Sequence, residues 1–160
     1  MDMTQPRLLW VDDDGKRRRF KYEEAVLRKT WSITWAHSVY GAANALAGSD
    51  YDAIILDQTL PYRDDQPPND IWGGCALLFW LSRPEQLPGV PRAHAYEGLV
   101  ALTPRPRNRE AKVCVVSAFD DEGVAAQMRA VRSDLMVRPK PIDLDALRHF
   151  LENTVPGAKE

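Results

Sequence analysis

The sequence lacks the marks of most specialised protein classes. Its two cysteines, Cys75 and Cys114, are too few for a disulfide framework and do not sit at metal-ligand spacing. Both read as small buried hydrophobes in a reduced protein. No window approaches the ~18 consecutive apolar residues of a membrane span. The opening Met1-Asp2-Met3-Thr4-Gln5-Pro6 has no charged-then-apolar signal pattern. A cytoplasmic protein without membrane contact is therefore expected. Neither sign of charge is in excess: 21 Lys and Arg stand against 23 Asp and Glu, for a net charge of −2. That excludes the general basic balance of a nucleic-acid binder, and no direct nucleic-acid binding is expected. Internal repeats and low-complexity tracts are absent. What is present is a hydrophobic fraction of 44%, too high for a disordered chain. A chain of 160 residues can bury roughly 70% of its unfolded surface, so residues 1–160 read as one domain with a core at about 7–151.

Five short apolar runs recur along that core. Leu8-Leu9-Trp10-Val11 stops at Asp12-Asp13-Asp14, Ala53-Ile54-Ile55-Leu56 stops at Asp57, and Val113-Cys114-Val115-Val116 stops at Ser117. Ser32 to Ala36 is β-branched and aromatic, and Leu135-Met136-Val137 ends near Pro139-Lys140-Pro141. Runs without polar alternation suggest strands covered on both faces, as in a parallel sheet between helices. The segments between them carry helical spacing. Leu144, Leu147 and Leu151 follow the N-cap residue Asp143. Val124, Met128 and Val131 follow two aspartates, and Ala42 to Ala47 are closed by Gly48. A first helix is expected over about Lys16 to Thr30, more from its position than from its thin stripe of Phe20, Leu27 and Trp31. The expected fold is an α/β doubly wound five-stranded parallel sheet with right-handed crossovers. Most of the prolines fall within 62–111, in two stretches read as loops around a helix from Gly74 to Leu81.

In an open α/β sheet the strand ends face one crevice, where ligands bind. The residues ending these runs are Asp12, Asp13, Asp57, Ser117 and Lys140. Carboxylates held close repel one another and call for a cation. A hard ion such as Mg²⁺ suits them, because it takes one or two carboxylates and keeps positions for a phosphate oxygen. Asp57 is then a nucleophile towards a phosphoryl group, with Ser117 donating a hydrogen bond and Lys140 a charge to its oxygens. Ala118 is small enough to leave that group room. Alone, Asp57 reads as a capped turn after a strand; in register with the other four it reads as a phosphoacceptor.

The words Leu9-Trp10-Val11-Asp12-Asp13-Asp14, Ile55-Leu56-Asp57-Gln58-Thr59-Leu60-Pro61, Val115-Val116-Ser117-Ala118 and Arg138-Pro139-Lys140-Pro141-Ile142-Asp143 resemble the receiver domain of two-component response regulators. The resemblance spans about Arg7 to Leu151 and implies a flavodoxin-like (β/α)5 fold. By the resemblance, Asp12 and Asp13 bind Mg²⁺ with Asp57 and the main-chain carbonyl of Thr59. Asp57 accepts phosphate from a histidine kinase or a histidine phosphotransfer protein, and Ser117 and Lys140 read it out. The protein is then a switch rather than an enzyme. Its output partner is unknown, and a homodimer is left open. A cis bond at Lys140-Pro141 is also implied. Three departures stand out. Asp57 and Ser117 are 60 positions apart, about twice the family's usual gap, which places insertions within 62–111. Val137 stands where the family carries a switch aromatic. No attached output domain is expected.

Two other classes compete with this reading. A haloacid-dehalogenase-like Mg²⁺ phosphatase uses the same residue types, but it needs a carboxylate where Thr59 stands and an acidic pair late in the chain. A pseudo-receiver would bind partners without taking phosphate. Among the remaining residues, Asp14 and the run Lys16 to Lys21 read as a solvated face, and Trp10 and Trp35 as core. His37, His94 and His149 have no partner at catalytic spacing. Trp72 and Trp80 are either lids on the core or part of a partner surface. Together with Tyr62, Tyr96, Arg105, Arg107 and Arg109 they make the 62–111 segment a candidate recognition element.

Overall fold

The strand Ala53–Asp57 is buried at every position, as its unbroken apolar run requires of a strand with helices on both faces. It lies at the centre of the sheet in a computed structural model that describes residues 5–12, 21–64, 73–82, 99, 101–117, 122–132, 134–139 and 143–152. In chain order the elements are β1 (Arg7–Val11), α1 (Lys21–Leu27), β2 (Ser32–Ala36), α2 (Val39–Gly48), β3 (Ala53–Asp57) and α3 (Gly73–Ser82). A 3-10 helix (Pro106–Glu110), β4 (Lys112–Ser117), α4 (Glu122–Val131), β5 (Met136–Pro139) and α5 (Leu144–Glu152) follow. The five strands run parallel in the order β2-β1-β3-β4-β5. This is the expected doubly wound sheet in its flavodoxin-like order.

Side chains alternate across the sheet with period two, which sorts the core into two layers. Leu9, Val11, Ile54, Leu56, Val113 and Val115 pack against α2, α3 and Met128 of α4. Leu8, Trp10, Ile55, Cys114 and Val116 pack against Leu27 of α1 and Leu147, Phe150 and Leu151 of α5. Trp10 is in the core as expected. Trp35, on the edge strand β2, is half-buried and stacks on Trp10 with ring centroids 4.5 Å apart. Its indole N–H donates to Glu24 Oε2 at 2.5 Å.

Several element ends differ from the sequence reading, each for a local reason. Helix α1 ends at Leu27, and Arg28 to Thr30 form a turn whose Thr30 and Trp31 amides bond back to Leu27. Its expected first turn, from Lys16, lies outside the described residues. Helix α2 starts at Val39 because Ser38 caps it, accepting the Gly41 amide at 2.9 Å. Gly48 is not a left-handed cap: it is the last helical residue, and Ser49 in extended conformation closes the helix by bonding to Ala45. Strand β5 begins one residue late and runs to Pro139, which lacks an N–H and is tolerated because β5 is an edge strand. The Asp143 cap is as expected, accepting from the Ala146 amide at 2.7 Å.

In the segment between α3 and β4, read from its prolines as loop, 101–105 are without regular structure as expected, whereas Pro106–Glu110 form a 3-10 helix. The described part of the segment is ordered against the body of the protein. Leu99 is buried, and its carbonyl and that of Leu102 both accept from the Trp80 indole N–H, at 2.9 and 3.1 Å. Pro106 opens the 3-10 helix, whose fixed φ and missing N–H suit a helix start. Within it, Asn108 is fully buried and donates to the carbonyls of Leu46 and Ser49 while accepting from the Tyr51 amide, all at 2.7 Å. Arg105 pairs with Asp50 at 2.7 Å and Arg107 with Asp52 at 3.0 Å. Arg105 and Arg107 thus hold surface ion pairs within the chain, and like Arg109 they remain exposed. Trp80 is core, while Trp72 and Tyr96 lie outside the described residues.

Candidate functional site

The ladder fixes where the strand-terminal polar residues fall. Val11 pairs with Leu56, and Asp57 pairs with Val116. Asp12, Asp57 and Ser117 therefore sit within one residue of the same level, on three adjacent strands about 4.8 Å apart. All three lie at the carboxyl edge, and their exposures are 3%, 4% and 5%. The backbone holds them there beyond the strands themselves. The Asp12 amide donates to Ala36 and the Gln58 amide to Val116, both at 3.0 Å. The Thr59 amide donates to Asp57 Oδ1 at 3.1 Å, a local turn that fixes the carboxylate and sends the chain away from the strand. Asp13, Lys140 and the Lys140-Pro141 bond, like Ala118, lie outside the described residues.

The two buried carboxylates on neighbouring strand ends carry like charge, which a cation between them would offset. Among the described residues no group of three or more His, Cys, Asp or Glu converges. Asp12 and Asp57 supply two donors, the Thr59 carbonyl follows in the same turn, and Asp13 is the next residue along from Asp12. An all-oxygen donor set of this kind fits a hard cation such as Mg²⁺ and not a thiophilic metal. The two thiols take no part: burial pushes Cys75 and Cys114 up to about 12, which keeps them protonated.

The structure adds three features that the sequence reading did not place at the site. His37 places Nδ1 3.2 Å from the Asp12 carbonyl, a contact between β1 and β2 that no sequence spacing announces. Gln58 is buried, yet its Nε2, like Thr59 Oγ1, has no hydrogen-bond partner among the described residues. The third feature is the pair Gly73 and Gly74 at the start of α3. A Cβ on Gly74 would lie 2.5 Å from the Asp57 carbonyl oxygen and 2.9 Å from Gln58 Cα. One on Gly73 would collide with the Leu60 carbonyl oxygen. The helix start rests directly on the backbone after Asp57, and the Gly74 amide donates to Gln58 at 2.9 Å. Adjacent glycines opening an apolar helix were the available signal, since glycine marks close backbone approach.

An open parallel sheet with these acids and a hydroxyl on its carboxyl edge has the architecture of a response-regulator receiver, and comparison with solved structures agrees. A CheY-like response regulator receiver domain from Methanospirillum hungatei superposes with a TM-score of 0.65 at 14% identity, covering 98% of each chain. A two-component response regulator from Clostridium difficile gives 0.63 at 14% identity, over 98% of this chain and all of that one. A response regulator from Burkholderia pseudomallei, solved with a phosphorylated aspartic acid, calcium and citrate, gives 0.59 at 16% identity over 97% of this chain and 69% of that one. No family model matches the sequence, and no curated protein does. The chain has the receiver fold. No helix among the described residues is long and apolar enough to cross a membrane.

Proposed function

We propose that this chain is a phosphorylatable receiver that takes a phosphoryl group on Asp57 from a histidine kinase or a histidine phosphotransfer protein. The observation that carries this reading is the burial of Asp12, Asp57 and Ser117 together on three adjacent strand ends. Neighbouring buried carboxylates repel each other, and a divalent cation bound between them would offset that charge and could also hold a phosphoryl oxygen. Asp12, Asp13, Asp57 and the Thr59 carbonyl would hold Mg²⁺, which neutralises the charge between the attacking carboxylate and the phosphoryl oxygens. The Thr59 amide on Oδ1 orients the Asp57 carboxylate. An Asp57 oxygen forms the new bond to phosphorus as the bond to the donor imidazole nitrogen breaks, and the electron pair stays on that nitrogen. Ser117 hydrogen-bonds a phosphoryl oxygen and Lys140 carries the opposing charge. The protein acts as a cytoplasmic switch rather than a turnover enzyme, and it signals through an output protein or a second copy of itself. No observation favours the phosphatase alternative, because Thr59 stands where that chemistry needs a second carboxylate.

The test is intact-mass analysis after incubation with Mg²⁺ and a small acyl phosphate. One added phosphoryl group is expected, lost in Asp57→Asn and absent in excess chelator. Labelling that persists in either condition refutes the assignment.

A further inference from the structure

Helix α3 is unusual in having no face left to water. Every residue from Gly73 to Leu81 is buried. The helix sits between α2 and α4 on one face of the sheet, and the segment around Leu99–Leu102 lies against it. That cover is polar in its fastening, through two main-chain carbonyls on the Trp80 indole N–H, and it is tied in turn to the rest of the fold. The Leu102 amide bonds to Leu99, and the Arg105 amide bonds to Leu46 at the end of α2.

The other end of α3 touches the proposed phosphoacceptor loop. Gly74 and Gly73 leave no side chain between the helix and the main chain of Asp57, Gln58 and Leu60, and the Gly74 amide is bonded to Gln58. A displacement of residues 57–60 thus meets backbone, with nothing soft in between. Trp80 lies six residues along the helix from Gly74, about 9 Å at 1.5 Å per residue, so a shift of the helix start is carried towards it through continuous backbone hydrogen bonding. The loop also has a reason to move. Gln58 Nε2 and Thr59 Oγ1 are buried without partners among the described residues, and each carries the desolvation cost of an unmade bond. A second arrangement of the loop that supplied partners would recover that cost.

From this geometry we propose that phosphorylation of Asp57 is transmitted along α3 to the Leu99–Arg105 segment, with Trp80 as the link. The proposal rests on Asp57 being the acceptor. Because the Trp80 bonds already hold the cover in the unphosphorylated form, a shift of α3 loosens them.

The experiment is hydrogen exchange read by mass spectrometry on the full chain, before and after Mg²⁺-dependent phosphorylation, with intact mass followed in parallel. In the wild type, the Leu102 and Arg105 amides should exchange several-fold faster once the phosphoryl group is on. Trp80→Phe keeps the ring in the core and removes the N–H. It should take the phosphoryl group normally while losing most of that difference. An adduct with unchanged exchange over 99–105 overturns the proposal, as does an equal difference in Trp80→Phe. Failure to form any adduct instead removes the acceptor reading itself, and the proposal with it.

Discussion

Replacing Asn108 with alanine removes three hydrogen bonds at once, all of them in the interior. Its side chain joins the end of α2, through the Leu46 and Ser49 carbonyls, to the entry of β3, through the Tyr51 amide. Each such bond contributes about 1 kcal/mol net, so the loss is about 3 kcal/mol. The Leu46 carbonyl keeps the Arg105 amide as a partner, which limits the damage there. The Tyr51 amide has no such reserve, and leaving it buried without an acceptor is the larger part of the cost. For a chain of this length, about 3 kcal/mol corresponds to a fall of about 6–12 °C in Tm. Asn108→Asp should be worse than Asn108→Ala. A carboxylate still accepts from Tyr51 but turns an oxygen towards two carbonyls that need a donor. Urea denaturation followed by tryptophan fluorescence measures both variants. If Asn108→Ala lies within about 0.5 kcal/mol of wild type, a range ordinary for surface changes, the clamp is not stabilising. If Asn108→Asp is the more stable of the two, the hydrogen-bond assignment is wrong.

Asp12→Asn should weaken Mg²⁺-dependent phosphorylation without reducing thermal stability, since it removes one of two like charges buried on neighbouring strands; a marked loss of Tm speaks against a functional role for that charge. Cys75 and Cys114 should resist iodoacetamide at pH 8 in the folded protein and react fully in urea, because burial holds both thiols near 12; alkylation at native rates would show that the core opens. Asp134 is held below the usual carboxylate range: burial alone would raise it, but the Lys112 hydrogen bond and the charges of Lys112 and Arg132 outweigh that. Its folded value is therefore the lower one, so its small contribution is present above the unfolded carboxylate value and is lost as pH falls on through the lower folded value. Asp134→Asn should cost stability at neutral pH and nothing in acid, and an equal cost at both would remove the linkage. Replacing residues 99–109 with a flexible linker should expose Trp80 and abolish the Asn108 clamp, giving a protein that unfolds or associates; a variant with wild-type Tm would show the segment to be dispensable.

The parallel sheet was legible because its strands are apolar runs that end on polar residues. Ile54 to Asp57 and Val113 to Ser117 state both the burial and the edge in one stretch of chain. Asp12, Asp57 and Ser117 come together for the same reason, since parallel strands bring their carboxyl ends to one side. What could not be read was anything carried by contacts remote in sequence. Asn108 is an ordinary polar residue among prolines and arginines until the chain folds back to put it under α2. Arg105 and Arg107 look like a basic surface in sequence and are exposed, but their pairing with Asp50 and Asp52 is set only by the fold. The prolines misled for a physical reason. They exclude long helices and central strands, but a 3-10 turn starting at Pro106 satisfies their geometry and still packs. Helix α3 carried its own clue, because Gly73 to Leu81 has no polar face, and a helix apolar all round must be buried all round.

That last feature ties the segment to the site. An α/β layer normally leaves the outer side of each helix to water, and a helix with that freedom can tilt without consequence. Covering α3 with Leu99–Leu102 removes the freedom, while the glycine start removes any cushion at the other end. Strand β3 shows the same contrast along its length. Its entry is clamped by Asn108 on Tyr51 and by the Arg107–Asp52 pair, whereas its exit leads into a turn where Gln58 Nε2 and Thr59 Oγ1 have no hydrogen-bond partner among the described residues. Local opening concentrates where burial is least well compensated, so any rearrangement at β3 occurs at the Asp57 end. Buried polar side chains are fully paired where the strand begins and only partly paired, among the described residues, where it ends. A chemical event at Asp57 therefore acts on the loop and on α3 before it acts on the sheet.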